Sequence, residues 1–267
     1  MNNWVEKWLK IYLKCFVNLV LYHRNVYPAS TFDLTTFQGF NLPQFLPINR
    51  SKVLQDYIEE LILDILDKLP YVYLISLCII DCKDNLCIEK YCLDFGEFRH
   101  VSGGTDADNK KDSMPLKETD VFDEFRSSLN SLILQLERLP SIRDETVTFE
   151  VTLNTVDLGL GHGVIDMVAR QDTDEVLQFE RDTNWVRLKE DEVLASRPRS
   201  VVGHKGEVAD EVSIDETIQP KIRMISLVSC DLDPLVIHGY VELLLTSDEI
   251  ASNVYTPTTS PANESNI

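Results

Sequence analysis

The first twenty-eight residues, Met1 to Pro28, constrain this chain more than any other stretch, because their polar residues fall on one narrow stripe of a helix. Glu6, Lys7, Lys10, Lys14 and Asn18 recur at spacings of three and four, whereas Trp4, Val5, Trp8, Leu9, Ile11, Tyr12, Phe16, Val17, Leu19, Val20 and Leu21 cover the rest of the cylinder. A helix of this kind is buried over most of its circumference. The remaining elements must therefore be built around it. It does not read as a membrane span, which needs about 20 mostly apolar residues. Glu6, Lys7, Lys10, Lys14 and Arg24 interrupt the run, and no small-residue cleavage site follows it. The expectation is a soluble, intracellular chain.

With 267 residues and 44% hydrophobic side chains there is material for one sizeable core, read here as one domain with long insertions. The formal charge of -19 repels a phosphate backbone and argues against a basic grip on DNA. Any role near nucleic acid would run through a partner. Of the six cysteines, Cys78, Cys82, Cys87 and Cys92 lie close together, but without a CxxC pair or a histidine at finger distance. They read as small hydrophobes on two strands, reduced by default. Neither a metal nor a cofactor is expected.

A Pro, Gly, Asn and Phe rich connection over 29–50 leads to a second helix from Ser51 to Leu69. Val53, Leu54, Tyr57, Ile58, Leu61, Ile62, Ile65, Leu66 and Leu69 form its apolar face, Asp56, Glu59, Glu60, Asp64 and Asp67 a solvated one, and Pro70 stops it. Residues 71–81 and 86–95 read as a hairpin around Lys83-Asp84-Asn85, with the first strand central because it is almost wholly apolar. About 99–117 is expected to be a flexible loop. A third helix spans Asp120 to Leu139, followed by a strand over 146–154 in which Val147, Phe149, Val151 and Leu153 share a face. Past Thr155 the chain turns acidic, with the isolated Trp185 and then strand candidates at Lys221–Ser229 and Leu235–Leu245. The polar stretch 246–267 reads as a disordered tail. Two helices, a hairpin, a helix and a strand make an α+β core.

No catalytic constellation emerges. His23, His100, His162, His204 and His238 are scattered and accompany no nucleophile elbow, zinc-protease motif or phosphate-binding loop. Gly159-Leu-Gly-His-Gly163 lacks a strand-to-helix setting, and the acids Glu190, Asp191 and Glu192 sit in a solvated run. Trp185 stands out in a polar segment, either as a core anchor or as a clamp on a bound peptide, since tryptophan offers much contact area for little entropy.

Seven fragments in order resemble the HORMA-domain family, and within it the fungal accessory subunits of translesion DNA polymerase zeta. They are Asn18-Leu-Val-Leu-Tyr-His-Arg-Asn-Val-Tyr-Pro28, Phe40-Asn-Leu-Pro-Gln44, Asp56-Tyr-Ile-Glu-Glu60, Ile88-Glu-Lys-Tyr91, Phe122-Asp-Glu-Phe-Arg-Ser-Ser-Leu129, Thr148-Phe-Glu150 and Asp182-Thr-Asn-Trp185. The resemblance implies a HORMA domain over 1–245: a mainly antiparallel sheet packed on three helices within a core of 1–155. An acidic insert and a mobile safety belt would follow over 156–245. It implies no catalysis by this chain, an extended peptide of the polymerase zeta catalytic subunit held under the belt, and a link to a second translesion polymerase of the deoxycytidyl-transferase type, in the nucleus.

By position, Tyr57 and Trp185 match peptide-contacting side chains, His238 and Tyr240 match belt contacts, and either Ile222 or Met224 matches the apolar contact at the start of the belt. The resemblance also implies a second copy bound through the third helix at Phe125, Asn130 and Leu134, although Asn130 stands where vertebrate relatives have arginine. The alternative is a HORMA adaptor of the spindle-checkpoint type, with the same fold and a different partner peptide.

Overall fold

The protein is described from a computed structural model covering residues 3–35, 40–42, 46–69, 71–97, 117–155, 185, 221–232, 235–245 and 252–256. It divides into two compact units: Met1–Thr155 with Ile222–Ile267, and Val156–Lys221. The expected loop at 99–116, the glycine-rich 159–163 and the acidic insert 189–220 lie outside the described residues.

Helix α1 spans Asn3–His23 and packs against α2 (Lys52–Lys68), α3 (Glu118–Arg138) and the short strand β2 (Leu46–Asn49), which pairs antiparallel with β1 (Phe32–Thr35). The polar stripe of α1 is exposed at Glu6 and Lys7 but covered from Lys10 onward. Lys10 pairs with Glu59 of α2, Lys14 Nζ lies 3.2 Å from the same carboxylate, and Asn18, 1% exposed, bonds both Lys14 O and Asn49. Glu59 is thus a docking residue on a helix face read from sequence as solvated. In the seam between α1 and α3, Tyr12 stacks on Phe125 with centroids 4.6 Å apart, and its hydroxyl meets Ser128 Oγ at 2.9 Å. Phe40, fully buried, plugs the same seam against Trp8, Phe122 and Phe125, which explains an apolar residue in a connection otherwise built for turns.

Helix α1 stops at a Schellman turn: Asn25 takes the left-handed conformation (φ 50°), its N–H donates to Tyr22 O, and Val26 N–H donates to Leu21 O. Helix α2 begins at Ser51, whose hydroxyl accepts from Leu54 N–H. It buries Leu54, Ile58, Ile62, Ile65, Leu66 and Leu69. Val53 and Tyr57, expected on that face, are exposed.

The main sheet runs β5-β3-β4-β8-β6, with β3 Val72–Asp81, β4 Leu86–Asp94, β5 Val147–Thr155, β6 Lys221–Ser226 and β8 Leu235–Leu245. The hairpin β3–β4 is central, as its apolar run requires, and Asn85 supplies the positive φ of its turn. Registers align Leu77 with Tyr91, Val241 and Val151, and Ile75 with Leu93, Gly239 and Leu153, forming layers on one buried face. A bulge between Ile79 and Ile80 lets both Ile88 and Glu89 of β4 turn inward. The strand expected over Lys221–Ser229 ends at Ser226, after which Leu227 N–H bonds Gly239 O and β7 (Cys230–Leu232) pairs with β8. A Cβ on Gly239 would stand 3.3 Å from Leu227 Cβ, so the missing side chain permits that approach.

The disordered-tail expectation is corrected over 252–256. Val254 is 1% exposed, and Ile142 bridges Tyr255 in antiparallel fashion. A buried apolar side chain and a backbone ladder outweigh the polar composition that suggested disorder. No described helix is long and apolar enough to cross a membrane.

Candidate functional site: a free sheet edge beside an aromatic groove

Strand β5 is the outer strand of the sheet on one side, and among the described residues no strand pairs with its outer edge. Its sequence is suited to this place, since Thr148, Glu150 and Asn154 are exposed while Phe149, Val151 and Leu153 are half-buried on the helix side. An unpaired edge offers a row of backbone donors and acceptors to another extended chain.

Beside it lies an open groove of about 410 Å³ lined by Tyr27, Ser51, Val53, Leu54, Tyr57 and Phe149. The Schellman turn after α1 swings Tyr27 onto Phe149, ring centroids 6.2 Å apart at 69°. Tyr57, from the second turn of α2, meets the same ring edge to face at 6.1 Å and 76°. Burial pushes both phenols above their ordinary value, and the neighbouring Tyr27 adds to the rise at Tyr57, so both hydroxyls are neutral donors. Val53 is 81% exposed and Tyr57 45%. This is an apolar, aromatic surface left open next to a strand edge.

The residues expected at the peptide site do not all gather here. Tyr57 lies in the groove. His238 and Tyr240 lie on β8, and Ile222 and Met224 on β6, across β3 and β4 from the β5 edge. His238 Nδ1 meets Ser229 Oγ at 3.0 Å and its Nε2 faces Glu97 Oε1 at 3.3 Å. Tyr240, held high by burial and then by Cys92, is half-buried opposite Cys92. Ile222 and Met224 are 44% and 60% exposed and alternate on one face of β6. These four lie on the two strands beyond β4, away from the β5 groove. Trp185 is half-buried and belongs to the unit Val156–Lys221.

Of the three residues expected on the self-association face, Leu134 is 55% exposed and Asn130 half-buried, but Phe125 is fully buried. Phe125 is corrected to a core residue, because its ring stacks on Tyr12 and packs on Phe40. Sequence reading missed Tyr27, Val53 and Phe149 as groove residues. The signal for Phe149 was present in the polar alternation of β5, which marks a strand half open to solvent.

A three-helix layer on an antiparallel sheet, with a C-terminal strand pair added beyond the central hairpin, defines an α+β protein with one sheet edge left open, and the family profile of the HORMA domain matches residues 6–156. The chain belongs to the HORMA-domain family. It is 50% identical over 257 residues to the DNA polymerase zeta processivity subunit of Saccharomyces cerevisiae, covering 96% of this chain and 94% of that protein. A chain of the mitotic checkpoint complex superimposes with a TM-score of 0.54 at 15% identity, over 89% of this chain and 97% of that one, which shows the shared fold.

Proposed function

We propose that this chain is the non-catalytic accessory subunit of a DNA polymerase zeta, acting in translesion synthesis and mutagenesis. It clamps an extended peptide of the catalytic subunit along the free edge of β5. The observation that carries this reading is the open β5 edge with the Tyr27–Tyr57–Phe149 groove beside it, on a chain half-identical to a zeta processivity subunit. Backbone bonds to β5 supply affinity without regard to side chains, and the aromatic groove selects an apolar, rigid residue such as proline. With β8 and β6 added beyond β4, the opposite edge is left to the peptide. Trp185, in the unit Val156–Lys221, is proposed as a further contact of the same peptide.

The same reading includes a link to a second polymerase of the deoxycytidyl-transferase type, while Ile222, Met224, His238 and Tyr240, expected as peptide contacts, lie on β6 and β8 away from the β5 edge. A second copy of the chain docks through α3 at Leu134 and Asn130. The complex works in the nucleus, and the formal charge of -19 leaves contact with DNA to the partners. Amide hydrogen exchange with and without a proline-containing peptide of the catalytic subunit tests the clamp. Slowed exchange in β5 and in the first turns of α2 is expected. Binding that leaves β5 exchange unchanged overturns the edge-pairing mode.

A further inference from the structure

The C-terminal stretch Ser252–Thr256 lies in a site that the rest of the chain builds for it. Residues 140–142 are held from the far side by the end of α1: Arg24 Nη2 donates to Pro140 O at 2.9 Å and Asn25 Nδ2 to Ile142 O at 2.7 Å. On this braced backbone the tail adds a short antiparallel ladder. Arg143 N–H donates to Val254 O at 2.9 Å, and Thr256 N–H donates to Ser141 O at 2.8 Å. Thr256 Oγ1 bonds the same carbonyl at 3.0 Å. Val254 is buried, and the Tyr255 hydroxyl reaches Glu89 Oε1 at 2.9 Å. Burial and then the Glu89 carboxylate push this phenol upward, which keeps it a donor.

Glu89 is also the β4 residue that stands opposite Leu243 near the end of β8. The chain leaving β8 therefore returns to fasten on the strand position at which β8 itself is laddered. We infer that Ser252–Thr256 is an intramolecular ligand, a Val-Tyr-Thr clasp whose docking site is the backbone of 141–143 together with the Arg24–Glu89 pair, and that its docking holds β8 in the sheet. The anchored segment begins seven positions after the last residue of β8, so its docking limits how far the C-terminal end of that strand can leave β4. The inference concerns retention of β8 and does not depend on which peptide the β5 edge binds.

Two full-length variants test it. Tyr255→Phe removes one donor from Glu89 and leaves the carboxylate bonded to Arg24 and Tyr91, whereas Val254→Asp drives the segment out of its apolar seat. Amide exchange is followed in β8 and, as internal reference, in β3. The clasp requires β8 exchange to accelerate about tenfold in Tyr255→Phe, the scale of one lost bond to a charged group, and further in Val254→Asp, with β3 unchanged. Uniform acceleration of β3 and β8 together, or β8 exchange equal to the parent in both variants, overturns the inference.

Discussion

Arg24 and Glu89 meet as a two-point pair inside the molecule, Nε to Oε2 at 2.8 Å and Nη2 to Oε1 at 2.7 Å, with both side chains 1% exposed. The Tyr91 hydroxyl adds a bond to Oε2 at 2.7 Å and Tyr255 one to Oε1, so both carboxylate oxygens are satisfied. The β4 bulge makes this possible, because it turns Glu89 inward without turning Ile88 outward. Desolvation opposes the guanidinium charge, but Glu89 and the phenols around it more than offset that cost and raise the Arg24 pKa above its ordinary value.

Breaking this pair from one side leaves a charge stranded in the core. Glu89→Gln is expected to destabilise the protein by about 3 to 5 kcal/mol in urea unfolding. The double variant Arg24→Met with Glu89→Leu is expected to lose much less than the sum of the single changes, since no charge is then buried alone. Additive losses would show that the two residues act independently.

Glu59 carries a pH-dependent term of the α1–α2 docking. The bond from Lys10 holds its carboxyl below the ordinary value of 4.5, with burial opposing and Lys14 assisting. A lowered folded pKa gives stability that is present above the unfolded value and is lost as pH falls through the folded one. The site is about a third exposed, so the term is expected to stay below about 1 kcal/mol. Unfolding of Glu59→Gln followed between about pH 6 and pH 3 should show a shallower acid loss than the parent. An identical slope in both proteins would remove Glu59 from the account.

The third helix separates core from surface within three turns. Phe125→Ala should cost about 3 to 5 kcal/mol, because it removes the ring stacked on Tyr12 and empties the seam filled by Phe40. Leu134→Asp, on an exposed position, should leave stability within about 0.5 kcal/mol and weaken self-association. Light scattering of the peptide-bound protein reads the second half. Dimers undiminished by Leu134→Asp would place the contact elsewhere.

What the sequence makes legible follows from which signals are local. Helical spacing locates α2 and α3 to within two residues, whereas α1 stops at His23, short of the Tyr27-Pro28 close read from sequence, and the run from Val72 to Ile80 places β3 inside the sheet between two neighbours. Faces set by tertiary docking are harder to read. Asn18, Lys10 and Lys14 look like a solvent stripe until Asn49 and Glu59 are known to cover them. Val53 and Tyr57 look like core until the β5 edge beside them is seen to be open. Tyr255 gives no local sign of order, because its seat is built by residues more than a hundred positions away.

The groove gives the sharpest separation of binding from folding. Tyr57 is 45% exposed and rests on Phe149 by one edge, so Tyr57→Ala should cost less than the about 3 to 5 kcal/mol of a buried aromatic. It should still weaken binding of the catalytic-subunit peptide by about 2 kcal/mol or more, the scale of an aromatic hot spot, since Phe149 and Tyr27 would lose the wall that closes the groove. Trp185→Ala is expected to behave in the same way if its ring covers the peptide from the belt. Calorimetric unfolding of the free variants alongside peptide titration separates the two effects. A Trp185→Ala protein that unfolds early assigns that side chain to the core, and a Tyr57→Ala protein that binds with parent affinity moves the peptide off the β5 groove.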